Sequence, residues 1–313
     1  MAELLASLSL AIDLGVGQPM EWVIRSCLLA VRLGGSLGLS ERDCQDTYYI
    51  SLLRHVGCTA TAAGDAVFMG GDELTVAEGM TLDMHDMAQA MGFLFRNVAK
   101  GKPFFERARA ITRALAAGPA YMNANHTAHC EVAVRVAETL GLGQGIQRGL
   151  WQVYERWDGK GTPKQLKGEE LALPVRVIHL AQDAATFYTL GGVEAAVAMV
   201  RARSGRQFDP AIVEAFCRVA PDLLASLAAE STWQAMLDAE PGLPTWISGA
   251  QIDTAAEVMA DFADLKSPFT IGHSRGVAAL ASAAAQQCGL PSADVVALRR
   301  AGLLHDLGRV GVS

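Results

Sequence analysis

Residues 273–313 read HSRGVAALASAAAQQCGLPSADVVALRRAGLLHDLGRVGVS. Apolar residues recur every three or four positions on both sides of Gly289-Leu290, which is typical of amphipathic helices. Gly289 is a helix-ending signal, because only glycine adopts the left-handed backbone conformation at little cost. The stretch therefore predicts two helices joined by a tight turn.

The same pattern occurs near the start of the chain. A shift of 251 residues aligns residues 22–62, which we call the first copy, with residues 273–313, the second copy, without a gap. Some matches are expected of any two amphipathic helices joined by a glycine turn, but the register holds through both helices and their connection, which predicts an internal duplication. Identical pairs include Leu29 and Leu280, Gly38 and Gly289, Asp43 and Asp294, and Leu52 and Leu303.

Length and composition predict a folded, mainly helical protein of two lobes. The chain has 313 residues, of which 51% are hydrophobic and 19% charged, so a largely disordered chain is excluded. The sequence has no long alternating run of β-branched residues, which would be the signal of a strand. We therefore expect an all-α fold. A connector rich in proline and glycine (Pro241, Gly242, Pro244, Gly249) predicts a first lobe of residues 1–250 and a second lobe that begins at residue 251 and is truncated at residue 313.

Charge and cysteine content exclude several classes of protein. The net charge of −7 argues against a nucleic-acid-binding segment, because such surfaces are basic. The sequence contains no run of about 18 apolar residues, so it predicts no membrane-spanning helix. The six cysteines lack CxxC spacing, which favours reduced thiols and a cytoplasmic location.

Candidate metal ligands lie in the second copy. Imidazole and carboxylate groups are the usual ligands of a hydrolytic divalent metal, and the second copy contains His273, His305 and Asp306. Adjacent residues on a helix point about 100° apart, so His305 and Asp306 reach one ion only at a turn or from an obliquely facing helix. His273 on an opposing helix then supplies a third ligand, and a metal so held activates water for attack on phosphorus.

These residues resemble the HD superfamily of metal-dependent phosphohydrolases. His273 matches its first histidine, and His305-Asp306 matches its His-Asp doublet. The surrounding Gly272-His273-Ser274 and His305-Asp306-Leu307-Gly308-Arg309 are similar to the HD-GYP branch, although Arg309 replaces the usual lysine. The isolated His85-Asp86 dipeptide has no such surroundings.

The resemblance extends across about residues 16–220 and is strongest in a loop. Residues 155–163, ERWDGKGTP, are similar to the HD-GYP signature loop, with Thr162 in place of its tyrosine. The ligand positions of this lobe differ from the family pattern, and a fixed cation such as Arg54 opposes metal binding, so we expect no metal in the first lobe. Trp22 replaces the first histidine, Arg54-His55 the doublet and Val153-Tyr154 a histidine pair, which leaves His129 and Asp183 as family ligands.

The resemblance implies an all-α, HD-domain-like helical bundle and hydrolysis of a cyclic dinucleotide or another phosphoester. A divalent metal of the Mn, Fe or Mg type is implied in the second lobe, held by His273, His305 and Asp306, with Asp306 and Arg309 as catalytic residues. The remaining ligands are expected beyond residue 313, so residues 1–313 alone are not expected to hold a complete site. A homodimer is also expected.

Two alternatives remain open. In the first, the chain is a non-catalytic regulatory module that senses a ligand, dimerises or controls a C-terminal DNA-binding domain outside residues 1–313. In the second, residues 273–313 pack on the first lobe and borrow His129 or Asp183, which is disfavoured because residues 22–62 already fill that place.

Several polar residues of the first lobe also have purely structural interpretations. His126 and His129 lie three residues apart and share a helix face, so they either form a metal pair or make local hydrogen bonds. We expect a buried His55 bonded to a backbone carbonyl, and Asp183 paired with a nearby arginine such as Arg176.

Overall fold

The computed structural model describes residues 1–69, 79, 81–227, 231–243 and 245–311, so Pro244 of the predicted connector and the last two residues of the second copy lie outside the described residues. Among the described residues there is no β-sheet, only an isolated bridge between Ser204 and Phe208, and the all-α prediction is confirmed. The helices are α1 (Ala2–Gly15), α2 (Trp22–Ser36), α3 (Glu41–Leu53), α4 (Cys58–Met69), α5 (Met87–Asn97), α6 (Phe104–Thr139), α7 (Gln144–Leu150), α8 (Leu173–Ala202), α9 (Pro210–Ser226), α10 (Thr232–Asp238), α11 (Ala250–Asp264), α12 (His273–Gln287) and α13 (Ser292–Leu304), with 3-10 turns at Gly168–Glu170 and Leu307–Gly311.

The two copies have the same backbone. Helices α12 and α13 begin and end 251 residues after α2 and α3, at every one of the four boundaries. The connecting turns also agree, because Gly38 and Gly289 both adopt the left-handed conformation, with φ of +72° and +71°. The duplication seen in the sequence is therefore present in the structure of the described residues.

A repeated carboxylate sets where each copy starts. Asp13 at the end of α1 accepts a hydrogen bond from the Val23 amide at 3.2 Å. Asp264 at the end of α11 accepts one from the Ser274 amide at 2.9 Å, and Asp264 lies 251 residues after Asp13. Each carboxylate satisfies an amide in the first turn of the next helix, where no intrahelical partner exists.

The hydrophobic core is built mainly around the first copy. Helix α2 packs along α8, and Leu29 on α2 is fully buried. The equivalent Leu280 on α12 is 74% exposed, because no described helix covers that face as α8 covers α2. The second copy is nevertheless attached to the main core, which includes Phe262 of α11 and Val310 of the 307–311 turn.

Gly57 allows the closest approach between the first copy and α6. A Cβ atom at Gly57 would lie 2.5 Å from the carbonyl oxygen of His129, and backbone atoms at that distance cannot move aside as a flexible side chain would. At Gly35, near the end of α2, a Cβ atom would meet nothing within 4 Å.

We expect Gly57→Ala to lower the free energy of unfolding by about 1–3 kcal/mol, because overpacking displaces α6 from α4. Gly35→Ala is the matched control and should be neutral or stabilising by up to about 1 kcal/mol, as expected of alanine in a helix. Urea unfolding followed by circular dichroism measures both. Equal stabilities of the two variants would contradict the close approach.

Candidate metal centre

The second copy brings its three candidate ligands together at the end of a helix. Helix α13 ends at Leu304, so His305 and Asp306 leave the helix and their side chains point to the same side. The Nε2 atom of His273 lies 3.6 Å from Oδ2 of Asp306, and Nε2 of His305 lies 3.5 Å from Oδ1. The structure therefore provides the turn that the His-Asp doublet requires to reach one ion.

The orientation of His305 is set by the backbone. Its Nδ1 lies 2.8 Å from the carbonyl oxygen of Gly302, and a carbonyl can only accept, so Nδ1 carries the proton and donates it. Nε2 of the neutral ring then has a free lone pair directed toward Asp306. Metal-binding histidines are commonly held in this way by a second hydrogen bond.

The three side chains fit a divalent metal. One donor atom from each of His273, His305 and Asp306 lies within 4.8 Å of the others, and among the described residues no other group of three histidine, cysteine or acidic side chains meets this condition. Ligands at about 2.1 Å from one ion stand about 3–4 Å apart, so small side-chain rotations bring these donors into range. Neither His129 nor Asp183 belongs to the group, which disfavours the arrangement in which they are borrowed.

Arg309 lies beside this cluster. Its Nη1 donates to Oδ2 of Asp306 at 3.1 Å, and 57% of its side chain is exposed. The guanidinium is thus anchored at one nitrogen, while its other N–H groups face solvent and are accessible to an anion.

The equivalent positions of the first copy carry a different chemistry. The Trp22 and His55 rings lie 4.8 Å apart, where the second copy has His273 and Asp306. Arg54, equivalent to His305, is buried and donates to the carbonyl of Val153 at 3.3 Å. Burial lowers the pKa of Arg54, while nearby Asp183 favours the charged guanidinium. A cation therefore occupies this position permanently.

Asp183 pairs with an arginine, which is one of its two interpretations from the sequence, but the partner is Arg203 rather than Arg176. Nη1 of Arg203 donates to Oδ2 of Asp183 at 2.7 Å, whereas Arg176 pairs with Asp209. Burial raises the pKa of the Asp183 carboxyl, and the Arg203 charge opposes that rise.

A break in α8 explains that partner. Residues 20 apart on a straight helix are separated by about 30 Å. Non-helical backbone at Gly191 and Gly192, the latter with φ of +71°, redirects the chain so that Arg203 returns to Asp183. The Gly191-Gly192 pair in the sequence indicates a break in the helix, but it does not specify which arginine then lies beside Asp183.

The remaining polar residues of the first lobe are bonded to one another. Nδ1 of His129 lies 2.7 Å from the Tyr154 hydroxyl, and its Nε2 contacts Thr61. His126 stacks on Tyr154 with ring centroids 3.9 Å apart. His55 is buried as expected, but its Nε2 meets the side-chain oxygen of Gln182 at 2.8 Å rather than a backbone carbonyl.

The loop at residues 155–163 is held by its own carboxylate. Glu155 accepts hydrogen bonds from the amides of Lys164 at 2.6 Å and Leu166 at 3.0 Å. Arg156 donates to Asp83 at 3.0 Å and pairs with Asp158 at 3.2 Å. These bonds tie the loop to Asp83 and to the segment that follows the loop.

Comparison with known families agrees with this geometry. Two family models, each described as an HD domain, match residues 122–212 and 270–313. The second match contains all three candidate ligands.

A curated relative extends over the whole chain. The 3'3'-cGAMP-specific phosphodiesterase 3 of Vibrio cholerae serotype O1 is 32% identical over 318 residues, which cover 100% of this chain and 69% of the relative. The chain belongs to the HD superfamily of metal-dependent phosphohydrolases. Members of this superfamily are generally dependent on a divalent metal.

Two further comparisons match proteins whose names include a cyclic dinucleotide. A cyclic di-GMP phosphodiesterase of the same organism is 37% identical over 81 residues, covering 24% of this chain and 16% of the relative. The crystal structure of a cyclic GMP-AMP specific phosphodiesterase of V. cholerae, V-cGAP3, is 30% identical and superposes with a TM-score of 0.74, covering 100% of this chain and 71% of that one. None of the helices in the described part of the chain is long and apolar enough to cross a membrane.

Buried histidines make the stability of the first lobe depend on pH. His179 is buried, and its Nε2 donates to the Val153 carbonyl at 3.1 Å. Burial, assisted by the nearby Arg54 charge, lowers the pKa of His179 to about 3. In the unfolded chain the His179 imidazole therefore binds a proton near pH 6.5, whereas in the folded chain it binds one only at much lower pH.

We expect His179→Gln to flatten the pH dependence of stability. Wild-type stability should fall by about 2 kcal/mol between pH 7 and pH 5 on account of this histidine alone, and the variant should lack that component. Urea unfolding at both pH values measures the difference. The same loss of stability in both proteins would show that His179 is protonated in the folded state.

Proposed function

We propose that this chain contributes the metal centre of an HD-type phosphodiesterase and that His273, His305 and Asp306 are its metal ligands. The observation that carries the proposal is the grouping of one donor from each side chain within 4.8 Å, at the end of a helix and open to solvent. Three protein ligands leave coordination positions free for water and substrate, as in catalytic rather than structural sites.

Each residue has a distinct task in this proposal. A bound divalent metal supplies Lewis-acid activation of water and of the phosphoryl group. His305 presents Nε2 because its Nδ1 proton is held by the Gly302 carbonyl. Asp306 supplies negative charge between both imidazoles, and Arg309, bonded to Asp306, directs its exposed N–H groups to a phosphate oxygen.

The first lobe, residues 1–250, is proposed to be metal-free. Arg54 brings a permanent positive charge to the position of a ligand, and a second cation beside it meets direct Coulomb repulsion. Asp183, the acid that the family pattern retains, already pairs with Arg203 at 2.7 Å. This lobe then has a supporting or regulatory role, and the regulatory alternative applies to it.

The second lobe, from residue 251, is proposed to be completed by a further helical segment. Leu280 is 74% exposed and Leu304 is 38% exposed, whereas their first-copy equivalents Leu29 and Leu53 are fully buried. The helix that covers Leu29 is α8, which also carries Asp183. A helix placed in the same way on α12 would bring a further acidic ligand to the metal.

The substrate class is proposed from the relatives. The named relatives act on 3'3'-cGAMP and cyclic di-GMP, so we propose a cyclic dinucleotide, with another phosphoester as the alternative. The HD-GYP assignment, a homodimer and a cytoplasmic location remain predictions from the sequence.

We expect His305→Ala to weaken Mn²⁺ binding by more than about tenfold, because loss of a group that only orients a ligand already costs about 10- to 100-fold. Hydrolysis of 3'3'-cGAMP by the purified protein should fall in parallel. Isothermal titration with Mn²⁺ and chromatography of the nucleotide products measure the two effects.

His85→Ala is the matched control, because His85-Asp86 is also a His-Asp dipeptide but lies outside the cluster. It should bind Mn²⁺ as the wild type does. Unchanged Mn²⁺ binding by His305→Ala, or no Mn²⁺ binding by the full-length wild-type protein that includes the completing segment, would exclude the proposed ligand set.

A further inference from the structure

Each copy packs against the helix that precedes the other copy. Helix α1, which precedes the first copy, contacts the 307–311 turn that ends the second. Helix α11, which precedes the second copy, contacts α4, which includes the end of the first. When equivalent surfaces meet in this way, the arrangement is that of a two-fold dimer interface, here within one chain.

The centre of this contact lies at Gly15. A Cβ atom there would lie 3.1 Å from Cγ2 of Thr59 and 3.6 Å from the carbonyl oxygen of Val310. Thr59 and Val310 occupy equivalent positions, 251 residues apart, and both are buried. A side chain at Gly15 would crowd the Thr59 methyl group and would meet Val310 at ordinary van der Waals distance.

This contact is connected directly to the candidate ligands. Val310 lies four residues after Asp306, and the Arg309 amide bonds the Asp306 carbonyl at 2.9 Å, so the turn is continuous with the His-Asp doublet. Val310 belongs to the main core, whereas Asp306 beside it is solvent-accessible. The doublet is therefore attached to a turn that packs on α1 of the first lobe and also on α11.

His273 has a separate anchor. Oδ1 of Asp264 accepts from the Ser274 hydroxyl at 2.7 Å, and Oδ2 accepts from its amide at 2.9 Å, which holds the start of α12 within the second lobe. The distance from His273 to the doublet thus depends on the Asp264 anchor and on how the 307–311 turn packs on α1 and α11.

We propose that Val310 is a positioning residue for the metal centre, through which the first lobe sets the spacing of His305 and Asp306 relative to His273. The inference rests on the proposed ligand set and adds a role for the first lobe in metal affinity. Val310 touches no ligand atom in this role and acts through the 307–311 turn.

The test compares Val310→Ala and Gly15→Ala with the wild type. The first variant removes part of the buried Val310 side chain, and the second crowds Thr59 at the same contact. We expect both to weaken Mn²⁺ affinity by about tenfold, as other losses behind a metal ligand do. Amide hydrogen exchange at residues 303–309 in metal-free protein should become faster by a similar factor, which is a readout that needs no metal.

Val200→Ala is the matched control, since Val200 is equally buried in the same core but lies on α8. It should lose stability without changing Mn²⁺ affinity or exchange at 303–309, and Val310→Ile, which keeps the contact, should restore both. Equal effects of Val310→Ala and Val200→Ala would overturn the positioning role, as would unchanged exchange at 303–309. Full-length wild-type protein, including the completing segment, that binds no Mn²⁺ would instead remove the proposed ligand set, and the exchange rates would then decide the positioning role alone.

Discussion

Arg54 carries a fixed positive charge into the interior of the first lobe, at the position where the second copy has the imidazole of His305. A buried charge is tolerated only when other groups answer it, because its desolvation otherwise costs several kcal/mol. Here the Val153 carbonyl accepts one of its N–H groups, and the Asp183 carboxylate lies near enough to favour the charged guanidinium. Asp183 is itself bonded to Arg203. The chain's own groups thus satisfy the buried Arg54 guanidinium only in part, whereas the equivalent position of the second copy carries an imidazole beside a carboxylate.

The two copies share their helix boundaries but differ in the side chains at the candidate ligand positions. Asp13 and Asp264 place α2 and α12 in the same way, although one helix begins with Trp22 and the other with His273. Burial raises the pKa of the Asp13 carboxyl to about 7, because this capping side chain is largely removed from water. The placement of both helices thus rests on these carboxylates and on core packing rather than on the residues at the candidate ligand positions.

Much of this could be predicted from the sequence, because a constant shift of 251 residues preserves helix boundaries, turn glycines and ligand positions together. The structure brings donor atoms of His273, His305 and Asp306 within 4.8 Å of one another, and their role as metal ligands stays a prediction. Contacts made through chain reversals could not be predicted. Arg203 reaches Asp183 only because α8 breaks at Gly191-Gly192, whereas proximity in the sequence favours Arg176. The hydrogen bond from His305 to the Gly302 carbonyl and the burial of Val310 depend equally on tertiary structure.

The most direct test of the account is anomalous X-ray scattering from crystals of the protein soaked in Mn²⁺. The account predicts anomalous density bounded by His273, His305 and Asp306, and none beside Trp22 and Arg54. Density beside Arg54, or none at the second-copy cluster, would contradict the division of the chain into a supporting lobe and a metal-binding lobe.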